Sequence, residues 1–229
     1  MHDLEGDGYA LADLVLARHQ CEHIASSLPA VIGAGRGGVR NLITHPTVTS
    51  LLLHERLGSY LWSAVGRDLV AVKATLFDKS PDANWRVQFH QDRSIAVKER
   101  MQVAGYGPWS TKAGVLHVEP PAEVLAQMLS IRVHLDECGE DNGPLQVIPG
   151  SHRSGKLPAA ELEATVAGNP RVELYVPQGG LLLMRPLLVH SSSVARAPEH
   201  RRVLHIELAP PEAISPLVWH SAVGLRRAA

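Results

Sequence analysis

Leu69-Val-Ala-Val-Lys-Ala-Thr-Leu-Phe77, followed by Trp85-Arg-Val-Gln-Phe-His90, marks the point where this chain changes character. Before it, apolar residues recur near helical spacing. From Leu69 onward, short β-like runs are separated by Gly, Pro, Asp and Asn. The runs are Leu69–Phe77, Trp85–His90, Ser94–Val97, Val115–Val118, Met128–Leu135, Leu145–Ile148, Arg171–Tyr175, Leu181–Met184, Val189–Val194 and Arg202–Leu208. Ten short strands with turn signals predict a mainly β (α+β) fold, a sandwich or jelly roll. Pro120–Gln127 and Ala159–Ala167 read as brief helical insertions.

Upstream of Leu69, residues 9–28 read as an amphipathic helix stopped by Pro29, and residues 46–65 as a second, opened by Pro46 and broken at Gly66. Gly33–Gly38 is a loop with only superficial likeness to a dinucleotide fingerprint, because no strand feeds it. There is no internal repeat, low-complexity tract or linker. The expectation is therefore one domain, with a helical part over 1–66 and a jelly-roll core over 67–210 of the 229 residues.

Composition excludes several function classes. Apolar residues make up 45%, charged residues 20%, and the formal net charge is −1. That balance offers no electrostatic case for a nucleic-acid or anionic-membrane partner. No run approaches the length of a membrane span, and the polar, acidic start is unlike a signal peptide. Cys21 and Cys138 sit in unrelated contexts and read as free thiols, so a reducing cytoplasmic location is expected. The oligomeric state is not written in these features.

His90-Gln91-Asp92 closes the second run. On extended backbone, residues i and i+2 project to the same side, so one strand edge offers an imidazole and a carboxylate together while Gln91 points away. His190 is a candidate third ligand from a distant run. Two histidines and one carboxylate are the donor set of non-haem Fe(II) oxygenases, in which the opposite positions stay open for cosubstrate and O2. Ser192 lies two residues beyond His190, and Arg201 opens the next run after a loop containing Pro198. A hairpin would return Arg201 to His190, where its guanidinium could bind a dicarboxylate bidentately with the Ser192 hydroxyl beside it.

Three blocks carry a resemblance: Asp78-Lys-Ser-Pro with Asn84-Trp-Arg-Val-Gln-Phe-His-Gln-Asp92; Leu135 to Arg153 with its Asn142-Gly-Pro-Leu and Pro149-Gly-Ser-His-Arg; and Leu187–Leu208. The chain resembles the phytanoyl-CoA dioxygenase family of Fe(II)/2-oxoglutarate-dependent oxygenases over roughly residues 40–210. The resemblance implies a double-stranded β-helix (jelly roll, cupin-like) core flanked by N-terminal helices. It implies iron ligands at His90, Asp92 and His190, and places Arg201, with Ser192, on the distal carboxylate of 2-oxoglutarate. It further suggests Arg132 and Thr75 as residues near the cosubstrate. The implied cofactors are Fe(II), 2-oxoglutarate and O2. The implied reaction oxidises a C–H bond of a small molecule and releases succinate and CO2. Retention of Asp92 argues for hydroxylation or another C–H oxidation over halogenation.

Remaining features carry expectations of their own. Arg93–Thr111 and Pro120–Gln127 are expected to wall the pocket, with Gly105-Tyr-Gly-Pro-Trp109 as a flexible lid. His152 is read as a backbone-bonded turn residue, and His45, His117, His134 and His205 have no partner pattern. Two competing readings are a catalytically silent jelly-roll binding protein and a cupin-like metal enzyme independent of 2-oxoglutarate. The intact triad together with Arg201 weighs against the first, and Arg201 with Ser192 against the second.

Overall fold

The chain opens with a short strand, β1 (Tyr9–Ala12), and three helices: α1 (Arg18–Ser27), α2 (Pro46–Leu52) and α3 (Glu55–Val65). The computed structural model describes residues 3–31 and 38–226, so the Gly33–Gly38 loop, save its last residue, lies outside the described residues. Strands then dominate: β2 (Val70–Lys79), β3 (Val87–His90), β4 (Ile95–Ala96), β5 (Trp109–Lys112) and β6 (Val115–Val118). Helix α4 (Ala122–Ala126) precedes β7 (Leu129–His134) and β8 (Leu145–Val147), and α5 (Ala159–Gly168) precedes β9 (Val172–Leu174). The chain closes with β10 (Leu181–Met184), β11 (His190–Ser192), β12 (Arg201–Ala209) and β13 (Val223–Gly224).

These strands form a six-stranded major sheet in the order β1-β10-β7-β12-β2-β13 and a four-stranded minor sheet in the order β3-β11-β8-β9. A third sheet, β4-β6-β5, flanks them. Every pairing between these strands is antiparallel. Two antiparallel sheets between which the chain crosses repeatedly (β2 to β3, β7 to β8, β9 to β10, β10 to β11, β11 to β12) make the jelly roll expected from the pattern of runs.

The pleat of the major sheet is inverted relative to an ordinary sandwich. Its outward residues, among them Ala74, Leu76, Ile131, Val133, Leu181, Leu183, Leu204 and Ile206, form the largest apolar cluster with Ile24, Val48, Leu52, Leu57 and Leu61 of the helices. Its inward residues on β2, β12 and β7 are mostly polar: Lys73, Thr75 and Lys79; Arg201, His205 and Glu207; Ser130, Arg132 and His134. Register aligns them in rows, with His205 between Thr75 and Arg132, and Glu207 between Lys73 and Ser130. Only the β1–β10 side of the interior is apolar, where Tyr9, Leu182 and Met184 meet Leu145, Val147 and Leu174 of the minor sheet. Elsewhere the space between sheets is a cavity of about 780 Å³.

Two helical expectations need correction. The helix expected over 9–28 begins only at Arg18, because Tyr9–Ala12 adds to the edge of the major sheet against Leu181–Met184. The helix expected over 46–65 is broken at Leu53-His54 into α2 and α3. Gly66 ends α3 in a left-handed conformation, as its position suggested. Strands β1, β5 and β13 have no counterpart among the ten expected runs.

Candidate metal centre

His90 is the last residue of β3 and pairs across the minor sheet with His190, the first residue of β11. Their rings lie 4.2 Å apart between centroids. Asp92 sits just past β3, its backbone N–H donating to the Pro186 carbonyl at 2.8 Å. Asp92 Oδ1 is 3.8 Å from His90 Nε2 and its Oδ2 is 3.8 Å from His190 Nε2. The three ligand atoms all lie within 4.8 Å of one another, and no other such group occurs among the described residues.

Hydrogen bonds fix the ring tautomers. His90 Nδ1 is 2.8 Å from the Gln88 carbonyl, and His190 Nδ1 is 2.8 Å from the Leu188 carbonyl. A carbonyl can only accept, so each Nδ1 carries the proton and each Nε2 turns a free lone pair toward Asp92. Burial, reinforced by the neighbouring His90, lowers the His190 pKa to about 3, so this imidazole is neutral near pH 7 as a metal ligand must be. For Asp92, burial pushes the pKa up, but the fields of His190, His205, His90 and Lys73 outweigh it and hold the carboxyl ionised.

Gln91 points away from the site, as expected, and performs a positioning task. Its amide donates to the Gly155 and Leu187 carbonyls, both at 2.8 Å, and its Oε1 accepts from the Leu157 N–H at 2.9 Å. The segment carrying His90 and Asp92 is thereby fastened to the run leading into His190. Ser151, from the Pro149-Gly-Ser-His block, accepts from the Val189 N–H at 2.9 Å and secures the same run from the other side.

Arg201, Arg132, Thr75 and Ser192 all line the same cavity as the triad. Arg201 reaches it by a route other than the one expected: β11 and β12 belong to different sheets, so their connection is a crossover and no hairpin forms. Arg201 Nη1 donates to the Gly143 carbonyl at 2.6 Å, and Ser192 Oγ donates to the same carbonyl at 3.2 Å. Gly143 must be glycine here, since its φ is +62° and a Cβ would lie 2.7 Å from the Ser193 carbonyl oxygen. Three buried donor-bearing atoms, Arg201 Nε, Arg132 Nε and Thr75 Oγ1, have no hydrogen-bond partner among the described residues. Unpaired buried donors are costly, and such groups are ordinarily satisfied. All three residues line the cavity, and the guanidiniums of Arg201 and Arg132 suit that end of it to an anionic ligand. Lys79 adds a third cation to this end; burial, then the field of Arg201, lowers its pKa to about 7.

His205 shows no partner pattern in the sequence, yet it stands beside the triad. Arg132 Nη1, which can only donate, approaches His205 Nδ1 at 3.4 Å, so the proton sits on Nε2. That Nε2 lies 3.9 Å from Asp92 Oδ2 and 3.7 Å from Glu207 Oε1. Glu207 in turn pairs with Lys73 at 2.6 Å. The signal was present in the alternation of β12: His205 is four residues from Arg201 and therefore on its face. Arg202, on the opposite face, pairs bidentately with Asp136 at 2.7 and 2.8 Å outside the cavity.

The expected pocket walls are only partly right. Of Arg93–Thr111 only Arg93 and Ser94 line the cavity, and Pro120–Gln127 does not; Lys112 and Glu119, outside both expected segments, do. Gly105–Trp109 is not a lid over it. Gly107 N–H donates to the Glu119 carbonyl at 2.8 Å, and Tyr106 and Trp109 pack on an apolar cluster away from the cavity. His152 contacts the Glu5 backbone carbonyl at 3.2 Å, the structural role expected of it.

The model of the phytanoyl-CoA dioxygenase (PhyH) family matches residues 4–203. The chain belongs to that family. It is accordingly an oxidoreductase of the dioxygenase class. Among solved structures, AviO1 from Streptomyces viridochromogenes Tue57 is 25% identical with a TM-score of 0.65, over 92% of this chain and 93% of AviO1. HygX from Streptomyces hygroscopicus, solved with nickel and 2-oxoglutarate, is 17% identical with a TM-score of 0.61, covering 90% of this chain and 84% of HygX. SnoN, a non-haem α-ketoglutarate-dependent epimerase from nogalamycin biosynthesis, is 20% identical with a TM-score of 0.62, covering 91% and 80%. No curated protein matches the chain in sequence. No helix among the described residues is long and apolar enough to cross a membrane.

Proposed function

We propose that this chain is an Fe(II)- and 2-oxoglutarate-dependent oxygenase that oxidises a C–H bond of a small molecule, acting as a single catalytic domain. Its iron ligands are His90, Asp92 and His190, and its cosubstrate residues are Arg201, Ser192, Arg132 and Thr75. One observation carries the reading: two imidazoles with Nε2 freed by backbone bonds meet one carboxylate in a cavity that also holds the unpaired donors of Arg201, Arg132 and Thr75.

Iron with 2-oxoglutarate and O2 supplies the oxidising chemistry, releasing succinate and CO2. The chain's own residues do the rest. Asp92 brings negative charge to the metal, its pKa held below the ordinary carboxylate range. Arg201 presents a planar fork to a carboxylate, with Thr75 and Arg132 offering further donors. Ser192 shares the Gly143 carbonyl with Arg201 and so fixes the guanidinium as well as facing the ligand. The apolar side of the interior, Leu145 among it, narrows the space and excludes water.

The test is an anaerobic titration of Fe(II) and 2-oxoglutarate, following the visible charge-transfer band of the chelate. Wild type should develop the band, and Asp92→Ala should lose it with its circular dichroism unchanged. Absence of the band in wild type at saturating iron and cosubstrate would refute the proposal.

A further inference from the structure

The cavity holds more positive charge than iron and 2-oxoglutarate can use. Eight lysines and arginines line it against three carboxylates, one of which is Asp92. Arg86 and Arg93 aside, the other six cations divide into two groups. Arg201, Arg132 and Lys79 occupy one end. Lys73, Lys112 and Arg40 occupy the other. Lys73 and Lys79 share a face of β2 six residues apart, which at the rise of a strand is about 20 Å. The row containing Thr75 and His205, next to Asp92, lies between them. A five-carbon dicarboxylate anchored at Arg201 spans only a fraction of that distance, so the second group is left for something else.

That second group is assembled by specific contacts. Lys112 ends β5 at a two-residue turn, Ala113-Gly114, with both residues at positive φ (48° and 78°). This is the tight geometry that closes antiparallel hairpins, and it fixes where Lys112 emerges. Lys112 Nζ donates to Ser94 Oγ at 2.6 Å, two residues beyond Asp92. Asn41 Nδ2 donates to the Ala113 carbonyl at 3.1 Å, tying the segment that carries Arg40 to the hairpin tip. That segment is itself laced to β2, where Val39 and Leu76 exchange two backbone hydrogen bonds of 2.9 Å. Lys73 is matched by Glu207 at 2.6 Å, and Arg93 faces Glu119 at 3.4 Å. Lys112 and Arg40 have no ion-pair partner among the described residues.

We propose that the prime substrate carries an anionic group, a phosphate or a carboxylate, held by Lys112 and Arg40 with Lys73 at the end of the cavity opposite Arg201. This rests on the oxygenase reading above. Self-repulsion at the site supports it: burial, then the fields of Lys73 and Arg40, lower the Lys112 pKa, with Glu207 and Asp92 offsetting only part. An anion between these side chains relieves the repulsion. The low-dielectric walls focus the field and draw a negatively charged substrate toward the iron.

The test loads the protein with Ni(II) and 2-oxoglutarate, which binds without turnover, and titrates it calorimetrically with methyl phosphate and, separately, acetate. Wild type should bind one anion per chain without displacing 2-oxoglutarate. Lys112→Glu and Arg40→Glu, both at exposed or half-exposed positions, should each weaken that binding at least tenfold. Tighter binding of methyl phosphate assigns a phosphorylated substrate, and tighter binding of acetate a carboxylic acid. The inference is overturned if wild type binds neither anion, if the anion displaces 2-oxoglutarate, or if both variants bind as wild type does. Failure of the Ni(II)–2-oxoglutarate chelate to form would instead remove the oxygenase reading, and this inference with it.

Discussion

Adjacent arginines on β12 offer a test in which the strand supplies its own control. Arg201 faces the cavity with Nε unpaired, while Arg202 faces out and is fully engaged by Asp136. Replacing Arg201 with Met removes the fork expected to take the distal carboxylate of 2-oxoglutarate. Hydrogen bonds to charged groups contribute about 1.5–3 kcal/mol each, and Arg201 can give that carboxylate one or two. Since each 1.4 kcal/mol is tenfold, the dissociation constant should rise roughly tenfold for one bond at the weak end and up to about ten-thousandfold for two at the strong end. Arg202→Met should leave 2-oxoglutarate affinity within about twofold and act on stability alone, through the half-exposed pair it breaks, by about 1 kcal/mol. The assay is anaerobic titration of the chelate band for both variants, with urea unfolding alongside. Equal 2-oxoglutarate affinity in Arg201→Met and wild type would refute the placement of the cosubstrate. A large loss in Arg202→Met would refute the separation of faces.

Three further outcomes are expected. His205→Leu removes the imidazole whose Nε2 lies 3.9 Å from Asp92 Oδ2, and should weaken metal binding by about 10–100-fold in competition with a chelator of known affinity; unchanged affinity would show that His205 positions nothing. Ile131→Ala opens a void beneath the helices and should cost about 2–5 kcal/mol in urea unfolding, whereas Ser130→Ala on the cavity face should cost far less. Stability of the metal-free protein should fall as pH drops from about 6.5. Burial lowers the pKa of both His134 and His190, the latter to about 3. The unfolded chain therefore takes up protons below about pH 6.5 that the folded one refuses, at about 1.4 kcal/mol per pH unit for each proton. A urea midpoint that is flat or rising from pH 7 to 5 would contradict this.

How far the sequence could be read depended on whether partners were near or far along the chain. Strands such as Val115–Val118 and Leu181–Met184 were legible to the residue because turn residues bracket them. Tyr9–Ala12 was not, because its strand conformation comes from pairing with Leu181–Met184, far along the chain, and its own pattern fits a helix equally well. The triad and Arg201 were legible as a spaced pattern of residue types. Lys112 and Arg40 were not, since only the contact between Asn41 and Ala113 brings their segments together. His205 and Glu207 stood in between. Their alternation with Leu204, Ile206 and Leu208 announced a shared face with Arg201, but nothing in the run said that this face was the hollow one.

The inverted pleat of the major sheet has an evolutionary consequence. Along β2, β7 and β12, alternate residues answer to different demands: one set is mortar beneath the helices, the other is the vocabulary presented to ligands. Replacing a letter of the second set, as at Lys73 or Glu207, leaves the mortar intact, so new substrates are reachable by substitution at modest risk to folding. Deleting one residue inside β12 is another matter. Parity would reverse for the rest of the strand, driving leucine and isoleucine into the cavity and histidine and glutamate beneath the helices. Lineages that keep this architecture should therefore diversify these three strands by replacement alone and confine changes of length to the loops between them.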